Sequence, residues 1–529
     1  MPRSLVPNHR PRLWSLAATL LVIAFLWLPV LQLYGSALWQ AATIQPATLI
    51  KVLNFNPLAR FLFLNTLALG TLTAAFAVVC GLPMALSLAR GPRWWRPVGA
   101  LLCAIPLAIP PILSASAWLE FSNSPAATAQ ASLAADQPSS APPVLRAALV
   151  LALCYFPLVA FPIYGALRAV PSEVEDAARL FGNGWMMIRR VLWPMLSPAI
   201  YGAAGLVFAL AMWEMGAPDL LDARTYSVQI YRDFNAEYNI GKAAIDAMPM
   251  LLLGCLALWP AARALRLYGM SWQGAASHSV RREGQLATAP AVLLCAISPV
   301  ALLLVFAWNL RPPRVLLEMW EYNREQIINT ALLATAGALW ITCVSFVLVI
   351  AWRDWAPGMR RVALGLTIAP LLFAPILLAI ALIHFWNQDV FAAVYGGRYS
   401  MMLVGYTARF LPLAILLMHE AARRVDESLL EAARNLGAVP LGAAKAVLMP
   451  LLAPACIGVF ALVWALCASE LSTSVLINAP GGQTLPVPIF NQMHVGNVAN
   501  VAALSLILVA MSGGIITGAA LVLRRMVRE

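Results

Sequence analysis

Apolar runs separated by short polar stretches recur along the whole chain. A run of about 20 such residues, wound as a helix rising about 1.5 Å per residue, crosses roughly 30 Å of hydrocarbon. The pattern predicts helices near 13–34, 61–89, 97–120, 144–167, 199–218, 243–268, 287–308, 328–352, 362–386, 400–419, 455–478 and 498–523. Twelve spans leave no room for a large soluble domain. The first run follows basic residues, as a secretory signal would. Its 22 residues exceed the apolar core of a signal and lack a small-residue cleavage site, so it is expected to stay as the first helix.

Composition agrees with a polytopic membrane protein: 61% of residues are hydrophobic, 11% are charged, and the mean hydropathy is +0.79. A net charge of +12 raises the question of nucleic acid, but the basic residues are scattered over short loops and form no basic domain, so no nucleic-acid partner is expected. With the N-terminus inside, 24 of the 35 basic residues fall on the cytoplasmic side, 10 fall outside, and Arg409 lies within a span. The positive-inside rule then puts both termini in the cytoplasm of a bacterial inner-membrane protein. All eight cysteines lie in or beside apolar segments without metal-ligand spacing, and read as small core residues.

The chain also repeats itself. Asn65-Thr66 recurs as Asn329-Thr330, Pro106 as Pro370 and Pro111 as Pro375, all at an offset of 264. Beyond the longer 121–143 loop of the first half the offset is 255, pairing Pro157 with Pro412 and Ala177-Ala178-Arg179 with Ala432-Ala433-Arg434. It then becomes 256, pairing Pro194 with Pro450 and Glu214 with Glu470. Offsets that change only at loops are what a duplicated helical unit leaves behind. Residues 1–275 and 276–529 read as two six-helix repeats, parallel because six is even.

Between the fourth and fifth span of each repeat lies a cytoplasmic segment with its own helical signals, within 168–198 and 423–454. In the first, Pro171 stands near the first turn, Glu173, Glu175 and Asp176 follow where the macrodipole favours acids, and Gly182 supplies a stop. The second runs from Asp426 to Leu436 and stops at Gly437. Paired alanines leave one helix face without bulk, so another surface can approach closely.

Glu-Ala-Ala, a glycine four residues after the last alanine and a proline twelve or thirteen further on resemble the EAA motif of permease subunits of binding-protein-dependent ABC importers. The match occurs twice, each time before the fifth helix of a repeat. The resemblance covers nearly the whole chain and is to fused permeases of the ferric-iron and thiamine type. It implies the type I ABC importer permease fold: all-α, about 12 helices, two parallel repeats. It also implies that each loop is a coupling helix seated on one of two cytoplasmic ABC ATPase subunits, and that an extracytoplasmic substrate-binding protein delivers the cargo. The coupling residues implied are Glu175, Asp176, Ala177, Ala178 and Gly182, then Glu431, Ala432, Ala433 and Gly437. The first copy departs from the pattern, with Asp176 in place of glutamate and one residue fewer before its proline. Segments 469–494 and 225–244 are more like the ferric-iron branch, with thiamine or another small solute such as a phosphonate as the alternative.

An ATP-driven pump needs a phosphate-cradling Gly-Lys-Ser/Thr loop. Of the three lysines only Lys242 follows a glycine, and Ala243 comes next. No cofactor is expected on this chain, and ATP hydrolysis falls to partner subunits. No catalytic constellation or metal-ligand cluster stands out, so the chain is not expected to be an enzyme. A secondary transporter or channel would need no ATPase, and would leave the duplicated loop unexplained.

Three charges fall inside apolar runs. Glu214 and Glu470 occupy equivalent positions in the fifth span of each repeat, and Arg409 lies in the tenth span, opposite Cys154 of the first repeat. An ionised side chain there costs about 2.5 to 3.5 kcal/mol on insertion scales unless it is paired or wetted. All three are candidates to line or gate a pathway, and Glu470 is the expected partner of Arg409.

Overall fold

The computed structural model of the protein describes residues 13–43, 57–92, 94–122, 142–168, 170, 188–237, 240–251, 253–254, 300–423, 425–426, 428–429, 432 and 447–526. Among these, every regular element is a helix. The elements used below are α1 (Leu13–Thr43), α2 (Pro57–Arg90), α3 (Trp95–Ala108), α4 (Pro111–Ser122), α5 (Pro143–Arg168), α6 (Trp193–Trp213), α7 (Gly216–Leu220) and α8 (Tyr226–Glu237). They continue with α9 (Val300–Asn309), α10 (Val315–Tyr322), α11 (Arg324–Ala351), α12 (Pro357–Ile368), α13 (Pro375–Trp386), α14 (Ser400–Arg423), α15 (Met449–Ala468), α16 (Ser474–Ile477), α17 (Pro486–Val495) and α18 (Val498–Met526).

Eight of these helices are long and apolar enough to cross a membrane, and two bent pairs bring the number to ten. The remaining two expected spans, 243–268 and 287–308, lie largely outside the described residues. The bent pairs correct the continuous helices expected at 97–120 and 362–386. The chain turns by 88° between Trp95–Leu107 and Pro111–Ser122, and by 101° between Pro357–Leu371 and Pro375–Trp386. Proline is the cause in both. Pro111 and Pro375 open the second helix of each pair, and a residue before proline is driven out of the α region. Ala374 is accordingly extended at φ −57°, ψ 135°. The residue at each break is held by the preceding proline's carbonyl: Ile109 N–H to Pro106 O at 3.3 Å, and Phe373 N–H to Pro370 O at 3.0 Å.

The chain forms two compact units. The first takes Met1–Gln40, Tyr322–Pro488 and Ala510–Glu529; the second takes Ala41–Glu321 and Ile489–Val509. The cut expected at residue 275 follows the sequence repeats, whereas compactness divides the chain elsewhere. The reason is visible at α1, which packs on helices of the second repeat. Trp352 donates its indole N–H to the Thr19 hydroxyl at 2.9 Å, Trp355 to that of Ser15 at 3.0 Å, and Trp27 to the Leu366 carbonyl at 2.8 Å. The Trp27 ring also meets Phe373 edge-on at 5.5 Å.

Within the second unit, α2, α5 and α6 build a core from Ala77, Met84, Leu88, Phe156, Val159 and Val207. Small residues allow the helices to close up: a Cβ on Gly81 would stand 2.9 Å from Val159 Cβ and 3.0 Å from the Phe156 carbonyl. Within the first unit α11, α14 and α15 pack in the same way, and a Cβ on Gly337 would lie 3.2 Å from the Tyr406 ring.

Candidate functional site

Of the coupling residues named above, Ala432 is helical and exposed. Glu175, Asp176, Ala177, Ala178, Gly182, Glu431, Ala433 and Gly437 lie outside the described residues. The approach to the second segment is defined. The guanidinium of Arg353 donates to the carbonyls of Ala422 at 3.3 Å and Val425 at 3.0 Å, capping the end of α14. Asp426 then accepts the Ser428 N–H at 3.0 Å, as an N-cap does, and this bond holds its carboxyl below the usual carboxylate range.

The three membrane charges lie at two equivalent breaks. Glu214 and Glu470 were expected inside helices at 199–218 and 455–478; each instead follows a helix that has ended. α6 stops at Trp213 and Glu214 is extended at φ −68°, ψ 132°; α15 stops at Ala468 and Glu470 follows Ser469. The runs read as continuous because apolar residues resume beyond the break. What interrupts them is the carboxylate, which takes up backbone N–H groups of the next turn.

In the second unit, Glu214 Oε1 accepts the Gly216 N–H at 3.2 Å and Oε2 accepts the Tyr155 hydroxyl of α5 at 3.2 Å. Its carbonyl accepts the Ser227 hydroxyl at 2.8 Å. In the first unit, Glu470 Oε1 accepts the Thr473 N–H at 2.8 Å, and its carbonyl accepts the Ser474 hydroxyl at 2.7 Å. Arg409 Nε of α14 lies 2.9 Å from Glu470 Oε2. The scheme is the same twice: one carboxylate oxygen caps the following short segment, the other is tied to the fourth helix of the repeat, and a serine holds the carbonyl. The tie is an ion pair in the second repeat, and a tyrosine hydroxyl serves in the first. Glu470 is 4% exposed and Arg409 22%, so the pair is largely withdrawn from solvent, and Arg409 Nη1 is buried without a hydrogen-bond partner.

The dipeptides Asn65-Thr66 and Asn329-Thr330, noticed in the sequence only as repeat markers, anchor the segment that follows each break. Asn65 Nδ2 donates to the Arg224 carbonyl at 3.0 Å, and Thr66 Oγ1 accepts the Tyr226 N–H at 3.0 Å. Asn329 Nδ2 donates to the carbonyls of Gly481 at 2.9 Å and Gln483 at 3.1 Å, and Thr330 Oγ1 accepts the Leu485 N–H at 2.8 Å. Tyr399 donates its hydroxyl to Asn329 Oδ1 at 2.8 Å, and the neighbouring Arg398 pairs with Glu325. The sequence signal for these residues was their recurrence; Tyr155, next to the Cys154 that matches Arg409, carried no such signal.

A long helical array with built breaks and anchored segments suits the movement of a solute, and among the described residues no group of His, Cys, Asp and Glu is placed to hold a metal ion. Comparison with known proteins agrees. Residues 77–262 match the family described as "Binding-protein-dependent transport system inner membrane component". The chain is 21% identical over 543 residues to the Fe(3+)-transport system permease protein FbpB 2 of Haemophilus influenzae, covering 96% of this chain and 97% of that one. It is 25% identical over 512 residues to the protein named Probable ABC transporter permease protein y4fN of Sinorhizobium fredii, covering 88% of each. A shorter match, 25% over 182 residues and 34% of this chain, is to the putrescine transport system permease protein PotI of Escherichia coli. This family comprises transport permeases and is no enzyme class, and its members work with an ATPase and a binding protein. Residues 77–262 are thus similar to the binding-protein-dependent transport system inner membrane component family, and nearly the whole chain is similar to permease proteins of such transport systems.

Proposed function

We propose that the cargo is ferric iron. The observation that carries this is the likeness to an Fe(3+)-transport permease over 96% of the chain, which takes in both repeats. The putrescine permease matches only 34% of the chain and gives no comparable support.

In this reading the two repeats, 1–275 and 276–529, form the pathway of a bacterial inner-membrane importer with both termini in the cytoplasm. Two ATPase subunits hydrolyse ATP and seat the segments around Glu175, Asp176, Ala177, Ala178 and Gly182, and around Glu431, Ala432, Ala433 and Gly437. Their closure draws the segments together and opens the pathway toward an iron-loaded binding protein. Glu214 and Glu470, with Arg409, act at the gate: each carboxylate joins the end of a fifth helix to the segment beyond it and to the fourth helix, so movement of either helix is passed to that segment.

The test is uptake of radioactive ferric iron by proteoliposomes holding this chain and its ATPase, with the loaded binding protein outside. ATP-dependent uptake of iron supports the proposal. Stimulation by a putrescine-loaded or phosphonate-loaded binding protein, with none by an iron-loaded one, overturns the cargo and leaves the family intact.

A further inference from the structure

The expected topology puts ten basic residues on the extracytoplasmic side, and two of them, Arg311 and Arg314, fall in the short link between α9 and α10. Their surroundings explain why cations stand there. On α9, Val300, Leu304 and Trp308 recur at intervals of four and are all exposed, so they make one apolar stripe; Trp308 at its end is 68% exposed. The guanidinium of Arg311 lies over the Trp308 ring at 4.2 Å. α10 then divides into three faces. Val315 is buried against the protein. Arg314, Glu318 and Glu321 follow one another at helical spacing on an exposed polar face, with Arg314 3.6 Å from Glu318. Leu317 and Trp320, 68% and 48% exposed, form an apolar face left open among the described residues.

An apolar stripe that ends in tryptophan, followed by arginines and a short three-faced helix, has the chemistry of the membrane–water boundary. The ring of Trp308 and the faces of Leu317 and Trp320 suit the upper acyl region, and the guanidiniums suit phosphate. Arg314 carries N–H donors in addition to the Nε that lies 3.6 Å from Glu318. The exposed apolar face of α10 follows in sequence directly on the exposed stripe of an apolar helix, and lipid, which suits that stripe, suits this face as well. We propose that residues 308–321 are a headgroup-level anchor that binds anionic phospholipid, with Arg311 and Arg314 on the phosphate and Leu317 and Trp320 in the boundary below it.

Two measurements test this on the full-length protein. The first is native mass spectrometry after reconstitution in nanodiscs of mixed phosphatidylglycerol and phosphatidylcholine. The protein should retain phosphatidylglycerol in excess. R311Q/R314Q should lower that excess by about five-fold for each cation lost, since an interfacial cation contributes about 1 kcal/mol. Equal retention by the double variant overturns the proposal. The second keeps both arginines and places a photo-crosslinking benzophenone amino acid at Leu317. Crosslinks to lipid support the anchor, and crosslinks to a protein chain, or none to lipid, overturn it. The second measurement holds even where the double variant fails to assemble.

Discussion

Removing the cation from the Arg409–Glu470 pair isolates what that pair does. In Arg409→Met the side chain keeps its apolar stem, but Glu470, 4% exposed, loses the group 2.9 Å from its Oε2. Its Oε1 still accepts the Thr473 N–H at 2.8 Å, so the carboxylate stays in place instead of turning toward water. A buried charge stripped of its partner costs about 3 to 5 kcal/mol. Glu470→Gln in the same chain removes that charge, and the double variant should recover most of the loss. The pair is in direct contact, so the two changes should not add. The assay is thermal unfolding of the purified protein in detergent: a drop of several degrees for Arg409→Met, and a midpoint near the unaltered protein for Arg409→Met/Glu470→Gln. An unchanged midpoint in Arg409→Met would refute the reasoning, because it would mean that the carboxylate is already satisfied without the cation. The charge swap Arg409→Glu/Glu470→Arg goes further. It restores opposite charges but puts a donor where Thr473 N–H needs an acceptor, so transport should stay low. Full recovery would reduce the pair to simple packing.

Other perturbations bear on separate links. Gly437→Trp should abolish co-purification of the ATPase and transport while leaving membrane insertion intact; normal transport by this variant would count against the coupling role of 423–454. Thr330→Val leaves the buried Leu485 N–H without its acceptor, at a cost of about 1 to 3 kcal/mol, and should speed amide exchange at residue 485 while leaving that at 226 unchanged. Trp352→Phe removes the donor to Thr19 and should lower the unfolding midpoint by the equivalent of about 1 kcal/mol, whereas Thr71→Val on the exposed side of α2 should not. The depressed carboxyl of Asp426 supports the Ser428 cap fully above the ordinary carboxylate range. That support is lost as pH falls through the lower folded value, so exchange at the Ser428 amide should rise in acid, and Asp426→Ala should abolish the dependence.

The apolar runs made the helices legible, because burying or facing lipid with about 20 residues is a local property of sequence. Where a run bends is decided by fewer residues. Pro111 and Pro375 carried that information, yet a run that stays apolar on both sides of a proline reads as one helix, and the two breaks at Pro106–Pro111 and Pro370–Pro375 were first visible only as repeat markers. Glu214 and Glu470 were legible as costly charges. That each ends its helix depends on N–H groups two and three residues on, which hydropathy does not weigh. The charged partner of Glu470 could be reasoned from an unmatched arginine, whereas Tyr155 could not, since a neutral hydroxyl in an apolar run raises no alarm. Docking of α1 on Trp352 and Trp355 lies more than 330 positions away in sequence and left no local trace. The Asn-Thr pairs stand between these cases: recurrence marked them, and only the structure assigned their work.

The central claim is that this permease moves ferric iron only when an external ATPase drives it. Proteoliposomes containing the chain with its ATPase subunits, supplied with the iron-loaded binding protein, should accumulate radioactive ferric iron when ATP is hydrolysed, and should stop when the ATPase is omitted. Uptake that persists without the ATPase under an ion gradient alone would contradict the account.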